Sequence, residues 1–336
     1  MIARAALLAE LIVVMLVGQA RAALRRIAKG PARAGWSWQV ELIAAGMQAI
    51  MMRSKRRGVH WLRAVLDVAP TPAPFGKRVR TEDIDAGGVR ARWFVPLGAI
   101  TPTRTIVYYH GGGFVIGSPN TTHAELMAQL AVLAEARVLG VDYRLAPEHR
   151  FPAAHDDALA AVRWLYAQGA DPASVALGGD SAGGNLATAT LCSLRDAGDP
   201  LPAAAVLFCP WVDLLAAGGS MDANADVDFG NRELLVAWAE DYLPRGSPRD
   251  PRAFPSDAKL DGLPPLLIQV GGAEVLHDQI VAFAQRARAA GVDVTLEIEL
   301  DMFHDWQLQG ALLPEGARSL EAAARWLVRR LPARNA

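Results

Sequence analysis

The sequence predicts an α/β fold, a mostly parallel sheet of eight strands with helices on both faces. Three observations carry that expectation. From residue 104 onward, short apolar runs of strand length alternate with longer segments whose apolar residues recur at helical spacing. Glycine-rich turns follow several of those runs, where a parallel sheet presents its loops. A chain of 336 residues, 52 % hydrophobic and 21 % charged, can also bury a large core and is neither disordered nor fibrous in composition.

At the N-terminus, Ala5 to Val17 is apolar except for Glu10, with Arg4 before it and Arg21, Arg25 and Arg26 after. The run falls short of the ~20 residues that span a bilayer. Ala20-Arg21-Ala22 resembles a cleavage site, but Glu10 interrupts the apolar core a signal peptide needs. The expectation is a cytoplasmic protein whose first helix packs on its own surface. Contact of residues 1–30 with a membrane surface and export are the alternatives. Residues 1–60 hold ten Lys or Arg against Glu10 and Glu41; the whole chain being −1, the remainder is nine units negative. A net charge this small excludes nucleic acid as the main partner.

Trp36, Leu42, Ile43, Met47, Ile50 and Met51 predict a helix over 36–53. Pro70, Pro72, Pro74 and Gly76 then make a stiff connection and a boundary near residue 75. Val79–Ile84 and Val89–Val95, joined by Gly87-Gly88, read as a hairpin. Strands follow at 105–109, 138–141, 175–177, 203–208, 266–270 and 294–300, with helices at 124–135, 153–167, 185–194, 276–290 and 315–331. Residues 211–262 break the rhythm. They are polar, with one helical piece at 232–242 and four prolines after it, and an insertion of that length reads as a lid. Cys192 and Cys209 are the only cysteines; both read as small core residues, with no disulfide framework or metal spacing. No cofactor or metal is called for. Oligomeric state stays open, a homodimer included.

Three signals carry chemistry. Gly179-Asp180-Ser181-Ala182-Gly183 follows an apolar run and precedes a helix, the context that makes G-x-S-x-G a nucleophile elbow. His110-Gly111-Gly112-Gly113-Phe114 follows the strand at 105–109. Consecutive glycines let backbone N–H groups converge on one cavity, which is what a developing oxyanion requires. As a phosphate loop the spacing is wrong: Gly111, Gly113 and Gly117 run one residue too long for a dinucleotide fingerprint, and no Lys-Ser/Thr follows. Last, the strand at 266–270 runs into Glu274 and the strand at 294–300 into His304. Ligands bind outside the carboxyl ends of such strands, so Ser181, Glu274 and His304 should meet there in the order nucleophile, acid, base. A serine hydroxyl becomes a useful nucleophile when an imidazole takes its proton, and a carboxylate fixes that imidazole's tautomer.

HGGGF, GDSAGG and the segment from Asp142-Tyr143-Arg144-Leu145-Ala146-Pro147 to Ala154 together resemble the hormone-sensitive-lipase-like group of α/β-hydrolases, bacterial esterase family IV. Around Gly262-Leu263-Pro264-Pro265 and Ala273-Glu274-Val275-Leu276 the chain looks most like monoterpene ε-lactone hydrolases and related carboxylesterases. The resemblance implies an α/β-hydrolase domain over 76–336. It also implies a cap from residues 1–75 with part of 211–262, and a serine esterase acting on short-to-medium acyl esters through an acyl-enzyme. It assigns Ser181 as nucleophile, His304 as base, and the N–H groups of Gly112, Gly113 and Ala182 as oxyanion hole. The family's acid is an Asp in D-P-L-x-D-E; here the position is Glu274 in Glu-Val-Leu-His-Asp-Gln. Asp278 is the rival acid, disfavoured because it should already lie in the next helix. Lactone hydrolysis, amide hydrolysis and a silent ligand-binding relative are the alternatives.

Blander readings cover the remaining residues. His110 braces the glycine loop, and His155-Asp156-Asp157 reads as a solvated or capping helix start rather than a metal site. His123 has no partner visible in sequence. Trp36, Trp38, Trp61, Met47, Met51 and Met52 either line an acyl pocket or simply pack. Phe208 and Trp211 end a core strand within reach of the site. Asp213 and Asp228 read as surface groups in the insertion.

Overall fold

The computed structural model describes residues 2–69, 72–98 and 103–332; Pro70, part of the stiff connection, lies outside them. The chain opens with α1 (Ile2–Lys29), α2 (Trp38–Arg57) and α3 (Val59–Val68). Ser37 caps α2, its hydroxyl accepting from the Val40 N–H, and Gly58 turns the chain into α3. The expected hairpin is β1 (Val79–Asp85) with β2 (Arg90–Pro96), followed by β3 (Thr105–Tyr109), α4 (Ala124–Leu133) and β4 (Arg137–Val141). Next come α5 (Ala153–Ala167), β5 (Val175–Asp180), α6 (Ala182–Ala197) and β6 (Ala204–Phe208). The insertion holds the expected helix, α8 (Arg232–Tyr242), and a single turn the periodicity did not announce, α7 (Ser220–Ala223). The chain ends with β7 (Leu266–Gly271), α9 (His277–Ala289), β8 (Val294–Glu299) and α10 (Pro314–Arg330).

The eight strands form one sheet in the order β1-β2-β4-β3-β5-β6-β7-β8, with β2 antiparallel to both its neighbours and all pairs from β4 to β8 parallel. Alternation along each strand sorts the core into two layers. Val107, Leu139, Leu177, Leu207 and Ile268 face α5, α6 and α9, while Ile106, Val138, Ala176, Val206 and Leu267 face α4 and α10. Buried on both faces, the central strands are near-continuous apolar runs, as parallel strands usually are, with Thr105, Asp180 and Gln269 as buried polar exceptions.

The strand order places the site. From β3 the chain moves outward to β4, and from β5 it moves the other way to β6, so β3 and β5 flank a topological switch point. The glycine loop leaves β3 there and Ser181 leaves β5 there. Close approach at this crevice depends on Gly183, whose α-carbon packs against the Tyr109 carbonyl at the end of β3. Gly183→Ala is therefore expected to cost about 1–3 kcal/mol of stability in urea melts. It should also slow covalent labelling of Ser181, because α6 must back away from β3.

Candidate active site

Ser181 sits between β5 and α6 with φ 50° and ψ −117°, a left-handed backbone that only an imposed turn holds in a serine. Its neighbours impose it. The Ser181 N–H donates to the Phe208 carbonyl at 2.8 Å, and its carbonyl accepts from the Trp211 N–H at 2.9 Å and the Asn185 N–H at 3.1 Å. Phe208 and Trp211 thus act on the serine through their backbones. The turn also needs bare α-carbons, because Gly179 meets the Gly183 carbonyl and Gly184 meets Pro210.

Oγ of Ser181 lies 2.9 Å from Nε2 of His304, and Nδ1 of His304 lies 3.3 Å from Oε2 of Glu274. Three side chains separated by up to 123 positions are brought into one line at the carboxyl edge of the sheet. Glu274 is fully buried, its Oε1 without a hydrogen-bond partner among the described residues. Asp278 lies in the first turn of α9 and turns elsewhere: its Oδ2 accepts from the Ser220 N–H at 2.9 Å.

Gly112 and Gly113 line the same cavity as Ser181, and Ala182 opens α6, where the first N–H groups of a helix have no intrahelical acceptor. Beneath the loop, His110 Nδ1 contacts the Gly111 carbonyl at 2.8 Å, and its ring stacks on Tyr143 with centroids 4.2 Å apart. Burial drives the His110 imidazole down to about 3, so it stays neutral as a brace. His123, without a partner in the sequence reading, lies 2.9 Å from Oδ2 of Asp180, whose Oδ1 accepts from the Tyr108 hydroxyl at 2.9 Å.

The cavity over Ser181 holds about 220 Å³ and is walled by Met47, Ile50 and Met51 of α2, Leu66 of α3, and Leu234 and Trp238 of α8. Trp238 packs directly on the Gly113 α-carbon. Of the aromatic and methionine residues considered for an acyl pocket, Met47 and Met51 line it. Trp36 instead donates its indole N–H to the Asp301 carbonyl, Trp61 donates to Glu10 at 3.1 Å, and Trp38 is exposed.

A protein-family model described as "alpha/beta hydrolase fold" matches residues 106–308. This chain belongs to the α/β-hydrolase family. An acetyl-hydrolase of Streptomyces hygroscopicus is 46 % identical over 250 residues, 73 % of this chain and 81 % of that protein. An esterase of Acinetobacter venetianus is 36 % identical over 261 residues, 77 % of this chain and 85 % of that one. Among solved structures, an esterase from the bacterial hormone-sensitive lipase family superposes with a TM-score of 0.83 at 42 % identity. That match covers 89 % of this chain and all of the other, so this hydrolase falls within the hormone-sensitive-lipase-like group.

Two carboxylates that the sequence reading gave no role crowd the site of this hydrolase. Asp228, read there as a surface group, is fully buried. Its Oδ1 accepts from the N–H groups of Phe229 at 2.8 Å and His304 at 3.1 Å, and its Oδ2 accepts from the Val275 N–H at 2.8 Å. One side chain from the insertion therefore clips together the loops that carry Glu274 and His304. Burial pushes its carboxyl up to about 6. The sequence offered no cue, since an Asp in a polar insertion looks solvated until its partners are known. Asp157 likewise is buried against Arg144 rather than solvated, at 2.7 Å.

The second carboxylate is Asp305, held at φ 52° with Oδ2 3.2 Å from the same His304 nitrogen that meets Ser181. Burial pushes its carboxyl up to about 7. Burial alone would lower the His304 imidazole, but Asp305, Cys209 and Glu274 outweigh it and hold the imidazole well above its ordinary value. Cys209, His304 and Asp305 also bring three metal-ligand atom types within 4.8 Å of one another. Burial keeps the Cys209 thiol protonated, and its sulfur already accepts from the Asp305 N–H at 3.4 Å, so the trio is spent on its own hydrogen bonds.

Asp228→Asn should lower kcat on the order of 10²-fold with little change in KM, measured by steady-state hydrolysis of p-nitrophenyl butyrate. A base must be neutral to accept a proton, so a raised His304 pKa moves the acid limb of kcat/KM toward alkaline pH. Asp305→Asn removes the strongest raising influence, and the limb in the pH–rate profile should move to lower pH.

Proposed function

We propose that this hydrolase cleaves carboxylic esters of small molecules, with short-to-medium acyl chains, through an acyl-enzyme on Ser181. The observation that carries the reading is the unbroken line Ser181–His304–Glu274 beside Gly112, Gly113 and Ala182. As Oγ of Ser181 attacks the carbonyl carbon, its proton passes to Nε2 of His304. The carbonyl oxygen becomes an oxyanion facing the three N–H groups, each typically worth ~2.7–4 kcal/mol. Collapse expels the alcohol, which takes the proton from His304 and leaves an acyl-serine. Water, deprotonated by the same imidazole, repeats the attack and releases the acid. Glu274 holds Nδ1–H of His304 and stabilises the cation formed at each step.

In the same proposal, residues 76–336 form the catalytic body, and residues 1–75 with part of 211–262 form a cap. Supporting it, cavity walls come from α2, α3 and α8, while Ser181, Glu274 and His304 stand on loops of the sheet. Arg63 of α3 bridges the two parts, donating to the Val115 and Ala146 carbonyls at 2.6 Å each and to Glu148 at 2.7 Å. A cavity of about 220 Å³ suits a short chain, which supports the acyl preference.

For location, we infer a cytoplasmic protein that works at a membrane surface. Both cysteines are free and buried, and α1, longer than the apolar run in the sequence suggested, is by length and composition alone long and apolar enough over Arg4–Lys29 to cross a membrane.

Ser181→Ala should abolish labelling by an organophosphate and lower kcat about 10⁶-fold, and Glu274→Gln should lower it on the order of 10⁴-fold. Turnover should be greatest on acyl esters of butyrate length and fall on long chains. Matching anilides should react far more slowly; faster turnover of anilides or lactones than of open-chain esters would overturn the ester reading.

A further inference from the structure

The helix α1 is built inside out. Three of its charged side chains, Glu10, Arg25 and Arg26, are engaged by α2: Glu10 accepts from Arg53 and Arg57 of α2 at 3.0 Å each and from the Trp61 indole, in α3, at 3.1 Å. Arg25 and Arg26 reach Glu41, the latter at 2.7 Å. Gly18 gives α1 close access to Ala45 and Ala49 of α2. The opposite face presents Ile12, Val13, Leu16, Val17, Leu24 and Ile27, between 44 % and 74 % exposed. At about 1.5 Å per residue, that uncharged stripe runs for about 22 Å. Protein surfaces rarely leave so long an apolar band bare without a partner.

Charge identifies the partner. The stretch 1–60 is eight units positive in a chain that is otherwise nine units negative. Beside the stripe, a groove of about 960 Å³ between α1 and α2 combines Val13, Val17 and Met52 with four arginines, Arg21, Arg25, Arg53 and Arg56, against three acids, Glu10, Glu41 and Asp226. Arg25 and Arg53 are engaged with Glu41 and Glu10, but Arg21 and Arg56 make no ion pair among the described residues. Apolar surface bordered by uncommitted arginines matches acyl chains bordered by anionic phosphates. A second copy of the chain would set the same arginines against their own images.

We propose that α1 is an in-plane interfacial helix that stays docked on the cap and seats its outer stripe in an anionic phospholipid surface. This rests on the membrane-surface location inferred above and deepens it by naming the lipid and the binding mode. A helix crossing the bilayer would have to give up the ion pairs of Glu10 and Glu41 and carry Glu10 into hydrocarbon; an in-plane helix keeps them all. α2 is a shared wall, with Gln48 and Met52 on the lipid-side groove and Met47, Ile50 and Met51 on the cavity over Ser181.

The test is flotation of the full chain with vesicles of phosphatidylcholine, with and without phosphatidylglycerol. Hydrolysis of soluble p-nitrophenyl butyrate reports on the fold. The wild type should float with phosphatidylglycerol vesicles on the order of tenfold more strongly than with phosphatidylcholine alone, and high salt should release it. Leu16→Asp should abolish flotation, and the pair Arg21→Glu and Arg56→Glu should erase the lipid preference, all with butyrate turnover unchanged. Equal binding to both vesicles, or retention through high salt and alkaline carbonate, would overturn the in-plane anionic mode while leaving a membrane location standing. No flotation with either vesicle would overturn the membrane location itself. A lipid-free dimer in light scattering that Leu16→Asp splits would assign the stripe to a second copy instead.

Discussion

A serine held at positive φ between two parallel strands is the constraint on which the rest of this hydrolase depends. Such a backbone is unfavourable for a residue with a β-carbon, typically by 1–3 kcal/mol, and must be paid for by surroundings that leave no alternative. Here Phe208 takes the Ser181 N–H, Trp211 and Asn185 take its carbonyl, and three bare α-carbons let β3, α6 and the segment after β6 close round the turn. The gain is positional. Only a turn this tight lifts Oγ off the sheet edge to meet an imidazole arriving from β8 and the glycine loop arriving from β3.

Around that serine the molecule gathers four buried carboxylates, Asp180, Asp228, Glu274 and Asp305. Burying so many acids is expensive unless each finds donors. Asp180 has Tyr108 and His123; Asp228 has three backbone N–H groups; Glu274 and Asp305 have opposite nitrogens of one imidazole. Asp305 and Glu274 favour the protonated form of the His304 imidazole, while Asp228 acts on geometry by joining the two loops that carry Glu274 and His304. Burial presses the Asp228 and Asp305 carboxyls upward, so the charge at this site is shared out by environment rather than by residue type.

The part of the molecule over the site is attached by apolar packing of α2 and α3 and by polar side chains rather than by a sheet. Arg63 ties α3 to the loop after β3 and to the segment before α5. Arg33 donates to the Gly272 carbonyl at 2.8 Å, and Gln48 donates to the Asp228 carbonyl at 2.9 Å. These links reach the loops that carry Gly112, Glu274 and Asp228, so the helices that wall the cavity also brace the groups beneath it. α1 continues the same design outward, pairing Glu10, Arg25 and Arg26 with α2 and leaving its apolar side to the surroundings.

Local sequence determined the strands, most helices and which strand ends carry Ser181, His304 and Glu274, because strand periodicity, bare-glycine turns and chain order are properties of short segments. The prediction of α8 over 232–242 matched for the same reason, its apolar spacing being self-contained. Asp228 and Asp305 escaped because their roles depend on N–H groups and an imidazole supplied from other segments, up to 76 residues away for Asp228. The inward turn of the α1 charges was hidden too: sequence shows which residues alternate round a helix, but only packing against α2 decides which side faces the protein.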